Sequence, residues 1–132
     1  IGYEGSPTLV SRAQKNADLH GLGPHVSFHE ANLFEVTQEW LVAQGRWDRA
    51  LLDPPREGAQ ALCQALAGLH QAQRIESLPH RLVYVSCNPA TLARDAAILV
   101  HEGGWRLSQA GVINMFPQTG HVESIARFDR AA

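Results

Sequence analysis

The chain has a single lysine, Lys15, and no basic run. Its 11 lysines and arginines are outnumbered by 13 aspartates and glutamates, for a formal net charge of −2. Nucleic-acid affinity draws on clustered cations, and this chain supplies none, nor an aromatic-and-glycine RNA-binding signature. Two cysteines, Cys63 and Cys87, are too few for a disulfide framework. With no signal-peptide pattern and no membrane-length apolar run, the expected setting is a reducing cytoplasm, with no membrane partner. A Cys63–Cys87 bridge stays open, but Cys63 falls in a helical run where a small buried apolar residue is the simpler role. Repeats, low-complexity tracts and linkers are absent. A chain of 132 residues that is 45% hydrophobic can bury one core, so one domain or a piece of one is expected, and the lack of an initiator Met favours the piece.

What is present alternates between strand and helix patterns, which predicts an α/β fold with a parallel sheet. A strand tail over 1–3 ends at Glu4-Gly5. Ser6 as N-cap and Pro7 as first helical residue open a helix that runs to about His20, where Gly21 and Gly23 stop it. A strand over 26–29, a helix over 36–43, a strand over 47–52 and a helix over 59–69 follow. Residues 71–80 read as a loop or frayed helix end. A strand over 81–86 and a helix over 89–102 come next, and strands over 105–114 and 122–129 close the chain as an antiparallel pair.

The segment Val83-Tyr84-Val85-Ser86-Cys87-Asn88-Pro89 carries the strongest signal. It delivers a cysteine from the end of an apolar strand onto a helix start, with Asn88 as N-cap and Pro89 at the first helical position. Unpaired N–H groups at a helix start favour a thiolate over a thiol. Asp53-Pro54-Pro55-Arg56 follows another apolar strand and puts Asp53 at the mouth of the sheet, where ligands of α/β proteins gather. The prolines keep its first residue out of helical geometry. Near the end, Gly120-His121-Val122-Glu123-Ser124 places a carboxylate just ahead of a short apolar run. Glu4, at the carboxyl end of the first strand, suits either the hydroxyls of a ribose or the dipole of the helix behind it. Phe116, for which a pocket wall is the other reading, and the three tryptophans, Trp40, Trp47 and Trp105, are read as core residues.

Taken together, Asp53-Pro54-Pro55-Arg56, Ser86-Cys87-Asn88-Pro89 and Gly120-His121-Val122-Glu123-Ser124 resemble the RNA 5-methyluridine (uracil-5-) methyltransferase family. The resemblance runs from Ile1 to the end and is closest to the branch that methylates 23S ribosomal RNA, with transfer RNA as the alternative substrate. It implies a Rossmann-like fold that depends on S-adenosylmethionine. Residues 1–132 would be the C-terminal part of the catalytic domain, truncated at its N-terminal strand. The glycine-rich cofactor loop and an N-terminal RNA-binding domain, often a small β-barrel, would be absent. It also implies Cys87 as nucleophile, Glu123 as general base, Glu4 on the cofactor ribose, Asn32 near its adenine and Asp53 beside the reacting site. Arg56 stands where amino-group methyltransferases carry an aromatic residue, which argues against that chemistry; a phosphate or base contact and a surface salt bridge are its two readings.

The residue types suit the reaction. Carbon 5 of uracil is a poor nucleophile until a thiolate adds to carbon 6, and a base must afterwards take the proton from carbon 5. Reaching carbon 6 requires a flipped base. A phosphatase loop fails on spacing, since Arg94 comes one residue too late after Cys87. A thiol hydrolase pairing Cys87 with His121 lacks an orienting third group and leaves the Asp53 loop without a role. His121 is accordingly read as solvated. An inactive module that retains the fold is the remaining alternative. In the resembled fold the first strand lies at the centre of the sheet, so its absence implies two open edges, a chain that binds cofactor weakly or not at all and is inactive alone, and either self-association through those edges or closure of the gap by the chain's own strands.

Overall fold

The computed structural model describes residues 1–130, which fall into two compact units, Ile1–Leu33 and the residues from Phe34 on. In the first, strand β1 (Gly2–Glu4) leads into helix α1 (Pro7–Leu19), and the chain returns through a 3-10 turn (Gly23–His25) to strand β2 (Phe28–Glu30). β1 and β2 pair in parallel, Gly2 opposite Phe28 and Glu4 opposite Glu30. Parallel pairing requires a crossover, which α1 provides. The sequence assigned Ser6 as N-cap. Its backbone is extended as a cap requires, yet its side chain makes no capping bond; its N–H instead donates to Glu4 Oε1 at 2.9 Å. The helix stops where expected. Gly21 takes φ +71°, and the Leu22 N–H reaches back to the Ala17 carbonyl at 2.8 Å, a closure that a left-handed residue permits.

The second unit holds α2 (Gln38–Ala43), β3 (Arg49–Leu52), α3 (Gln60–Gln71), β4 (Arg81–Ser86), α4 (Pro89–His101), β5 (Arg106–Ile113) and β6 (Glu123–Asp129). The helix expected from residue 36 starts at Gln38, because Thr37 caps it by accepting the Trp40 N–H at 3.2 Å. Residues 71–80, read as a loop or frayed end, include a 3-10 turn at Ile75–Ser77. The strands form one sheet in the order β3-β4-β6-β5. β3 and β4 are parallel, and β6 is antiparallel to both β4 and β5. The expected antiparallel pair is therefore present, with the last strand inserted between β4 and β5.

Strand β4 alternates strictly: Leu82, Tyr84 and Ser86 are buried, whereas Arg81, Val83 and Val85 are half-buried. Leu52 on β3 and Ser124, Ala126 and Phe128 on β6 stand directly opposite the buried set and share its face. Leu62, Cys63, Leu66 and Leu69 of α3 and Ile98 and Leu99 of α4 are buried too. Each fully buried leucine contributes about 2 kcal/mol relative to exposure. Cys63 and Cys87 are both free thiols, and burial pushes the Cys63 thiol well above its ordinary range. On the opposite face, Arg81 and Arg127 pair with Asp129 at 2.6 and 2.8 Å and hold its carboxyl down at about 2, the Arg81 bond first among the causes.

The aromatic residues assigned to the core divide. Trp105 is 3% exposed, Trp40 and Trp47 are half-buried, and Phe116 lies 48% exposed on the β5–β6 connection. That last assignment fails: Phe116 lies in the turn between the two strands with nearly half its surface exposed. Among the described residues, no helix is long and apolar enough to cross a membrane.

β3 has β4 as its ladder partner and lies at the sheet edge, with Leu51 70% exposed. An apolar edge strand is a template for pairing with another chain. The 132-residue chain is expected to self-associate in a concentration-dependent way by light scattering, and Leu51→Lys to shift it toward monomer. A wild-type chain that stays monomeric at high concentration would remove this edge as a contact.

Candidate active site

Two parallel strands end side by side, so the residues that follow them share one end of the sheet. Asp53 comes directly after β3 and Cys87 directly after β4. β6 runs the other way, and its first residue is Glu123. The β4–β6 ladder ends with Ser86 opposite Ser124, so Cys87 and Glu123 each lie one residue beyond its last pair, at the same end of the sheet. Side chains alternate along strands. Because Ser124 is buried on the helix side, Glu123 belongs to the other face; Cys87 lies in the bend after β4, and both are half-buried. Asp53 is exposed.

The turn carrying Cys87 is pinned from both sides. Ser86 Oγ accepts the Asn88 N–H at 3.0 Å and donates to the Asn88 carbonyl at 2.9 Å. Asn88 has extended backbone, and its Oδ1 accepts the Ala90 N–H at 3.1 Å, capping α4 as the sequence indicated. Pro89 follows at the first helical position. The same turn grips the Asp53 loop: Asn88 Nδ2 donates to the Arg56 carbonyl at 3.1 Å, and so does Thr91 Oγ1 at 3.1 Å. The Arg56 side chain is exposed and, among the described residues, enters no ion pair.

Glu4 and Asn32 lie in the first unit, at the carboxyl end of its two parallel strands. One Glu4 oxygen accepts the Ser6 N–H, and the Glu4 carbonyl accepts the Ala31 N–H at 3.1 Å. One of the two Glu4 carboxylate oxygens is thus engaged just ahead of α1. Asn32 is exposed, two residues past β2. The site residues read from the sequence therefore sort into Glu4 with Asn32 at one sheet end and Asp53, Cys87 and Glu123 at another. His121 is exposed, its ring edge-on to Phe116 with centroids 6.4 Å apart.

Tyr84, Thr91, Arg94 and Asp95, which bind the loop after β3, escaped the sequence reading. A signal for one of them was there. Asp95 lies three residues after Leu92 and four before Leu99, on the apolar stripe of α4, where a carboxylate has to find partners.

A thiol and a carboxylate at one end of a sheet, with a second carboxylate at the same end, can perform addition to an electrophilic carbon followed by removal of a proton. Residues 29–130 match the family model described as tRNA (Uracil-5-)-methyltransferase. The chain belongs to this family. The segment that matches the uracil-5-methyltransferases contains Asn32, Asp53, Cys87 and Glu123, and Glu4 precedes it. The chain is 62% identical over 130 residues to the 23S rRNA (uracil(1939)-C(5))-methyltransferase RlmD of Cupriavidus metallidurans, covering 98% of this chain and 28% of that protein. To the RlmD of Bordetella bronchiseptica it is 60% identical over 129 residues, covering 98% and 27%. The chain thus spans less than a third of the length of these relatives. Among solved structures, the Pyrococcus abyssi tRNA (uracil-54, C5)-methyltransferase in complex with S-adenosyl-L-homocysteine matches with a TM-score of 0.73 at 29% identity, over 96% of this chain and 28% of that one. The Synechocystis magnesium protoporphyrin IX methyltransferase with bound SAM matches with a TM-score of 0.62 at 20% identity, over 98% and 58%, a likeness of fold alone. The architecture is the Rossmann-like methyltransferase fold that the sequence indicated.

Because Asn88 both caps α4 and holds the Arg56 carbonyl, Asn88→Ala is expected to destabilise the fold by about 1 kcal/mol from the cap, and more from the lost loop bond. Urea unfolding measures it; a midpoint unchanged from wild type would show that neither bond contributes.

Proposed function

We propose that this chain carries the reacting groups of an S-adenosylmethionine-dependent enzyme that methylates carbon 5 of a uridine in RNA, with 23S ribosomal RNA as the substrate. The observation that supports the reading is the β4–β6 register, whose last pair, Ser86 and Ser124, is flanked by Cys87 and Glu123 at one end of the sheet. The identities to the RlmD proteins, about twice that to the Pyrococcus abyssi tRNA enzyme, favour ribosomal over transfer RNA. With so little basic charge here, the RNA is held mainly by regions outside this chain.

Cys87 adds through its sulfur to carbon 6 of a flipped uracil, and the electrons of the carbon 5–carbon 6 bond become available at carbon 5. S-adenosylmethionine supplies an electrophilic methyl group on a sulfonium. Glu123 then takes the proton from carbon 5, which restores the double bond and releases the Cys87 thiolate. Glu4 and Asn32 suit the polar parts of the cofactor: a carboxylate accepts hydroxyl protons of a ribose, an amide both donates and accepts, and both residues stand at the carboxyl end of parallel strands, where α/β proteins bind nucleotides. Asp53 is the polar neighbour of the reacting end.

In the full-length protein, RNA containing 5-fluorouridine is expected to form a covalent adduct, because the fluorine at carbon 5 cannot leave as a proton. Mass spectrometry should place it on Cys87. A Cys87→Ala protein that still methylates uridine would overturn the mechanism. Glu123→Gln is expected to transfer the methyl group but stall before release, so methylated RNA accumulates still bound to protein. Free product at the wild-type rate would remove Glu123 from its role, and methylation of transfer RNA in preference to 23S RNA would overturn the substrate.

A further inference from the structure

Beneath the reacting face, α4 fastens the loop after β3 at three places. Asn88 and Thr91 hold the Arg56 carbonyl, Arg94 Nη2 donates to the Glu57 carbonyl at 2.8 Å, and the Ala59 N–H donates to Asp95 Oδ2 at 2.7 Å. Asp95 is fully buried, and both its oxygens are engaged. Oδ2 also accepts from Tyr84 Oη at 2.6 Å, while Oδ1 accepts from Arg94 Nε at 2.9 Å and pairs with Arg94 Nη2 at 2.8 Å. Tyr84 Oη lies 3.0 Å from the Ala59 nitrogen, so that N–H is shared between phenol and carboxylate. Burial and the Asp95 bond push the Tyr84 phenol up, so it remains a donor. Gly58, in the middle of the fastened stretch, adopts φ +82°, and a Cβ there would sit 2.6 Å from Asp95 Oδ2 and 2.7 Å from Arg94 Nη2. The network leaves no room for a side chain.

Tyr84 precedes Cys87 by three residues and shares the buried face with Ser86. Asp95 follows Cys87 on the helix that Asn88 opens. Both are buried on the helix side of the sheet, away from the face of Glu123, so they serve as supports and not as reacting groups. What they join is the strand and helix bearing the nucleophile to the loop bearing Asp53. Burying an ion pair adds little net stability compared with apolar packing, so stability alone is a poor account of this arrangement, whereas the precise placement of reacting groups depends on such support.

We propose that Asp95, through Tyr84, Arg94 and the Ala59 amide, is a positioning residue for methyl transfer: it fixes the Asp53 loop relative to Cys87. The proposal rests on the function proposed above. Its test uses the full-length protein with Tyr84→Phe, Thr91→Val, Thr91→Ser and Asp95→Asn, assayed on an RNA containing the target uridine, well below each variant's own Tm. Tyr84→Phe and Thr91→Val each remove one hydroxyl, so they keep the proposal testable where Asp95→Asn fails to fold. The expected result is a fall in kcat of about tenfold or more for Tyr84→Phe, Asp95→Asn and Thr91→Val, with KM for RNA within about twofold of wild type and rescue by Thr91→Ser, as small misplacements of reacting groups produce. A merely structural role would lower Tm and leave kcat of the folded protein unchanged, and that result overturns the proposal. Should the wild-type protein leave uridine unmethylated, the functional reading itself falls and the proposal with it; an active wild type with unaffected variants removes the proposal alone.

Discussion

The period-two alternation along β4 is the constraint from which the arrangement of the second unit follows. The strand pairs with β3 on one side and β6 on the other, and a slip of one residue would exchange its faces. Leu82 and Tyr84 would then leave the core. The burial that stabilises the sheet and the placement of the strand end that leads to Cys87 are therefore set by the same register. Phe128 and Ala126, opposite Leu82 and Tyr84, lock β6 into the complementary phase, and that phase directs Glu123 to the face opposite that of Ser124.

The second element of order is a charge buried against the usual preference for apolar interiors. An ionised carboxylate removed from water costs several kcal/mol unless its lone pairs are filled and its charge offset. Asp95 meets both conditions through Tyr84, the Ala59 amide and Arg94. Cys63, close enough for the Asp95 charge to raise its thiol further, stays neutral beside it. A carboxylate satisfied by groups from a strand, a loop and its own helix ties all three together, which nonpolar packing would do with less directional definition.

Much of this was legible in the sequence, for identifiable reasons. The strand over 81–86 agreed residue for residue with β4 because its apolar pattern is bounded by a clear helix start at Asn88-Pro89. The last two strands were readable from Gly103-Gly104 and the turn-rich connection. Starts were less legible where a local bond decided them, as at Thr37, whose hydroxyl sets the beginning of α2, or at Ser6, whose side chain makes no capping bond while its N–H is held by the Glu4 carboxylate. Phe116 was misassigned to the core because aromatic character says nothing about whether a partner surface exists beneath it. The candidate nucleophile and base were visible as motifs, but their supports were not: hydrogen bonds from Thr91 and Arg94 to main-chain carbonyls of residues 56 and 57 follow no sequence period.

The antiparallel entry of β6 has a consequence for how such a site can diversify. Glu123 is placed by six opposed residue pairs along β4 and β6, not by the length of the segment that precedes it. The connection between β5 and β6, with Met115 and Phe116 exposed on it, can gain or lose residues while the carboxylate keeps its station. Such a loop can change its outline without moving the strand that starts at its base.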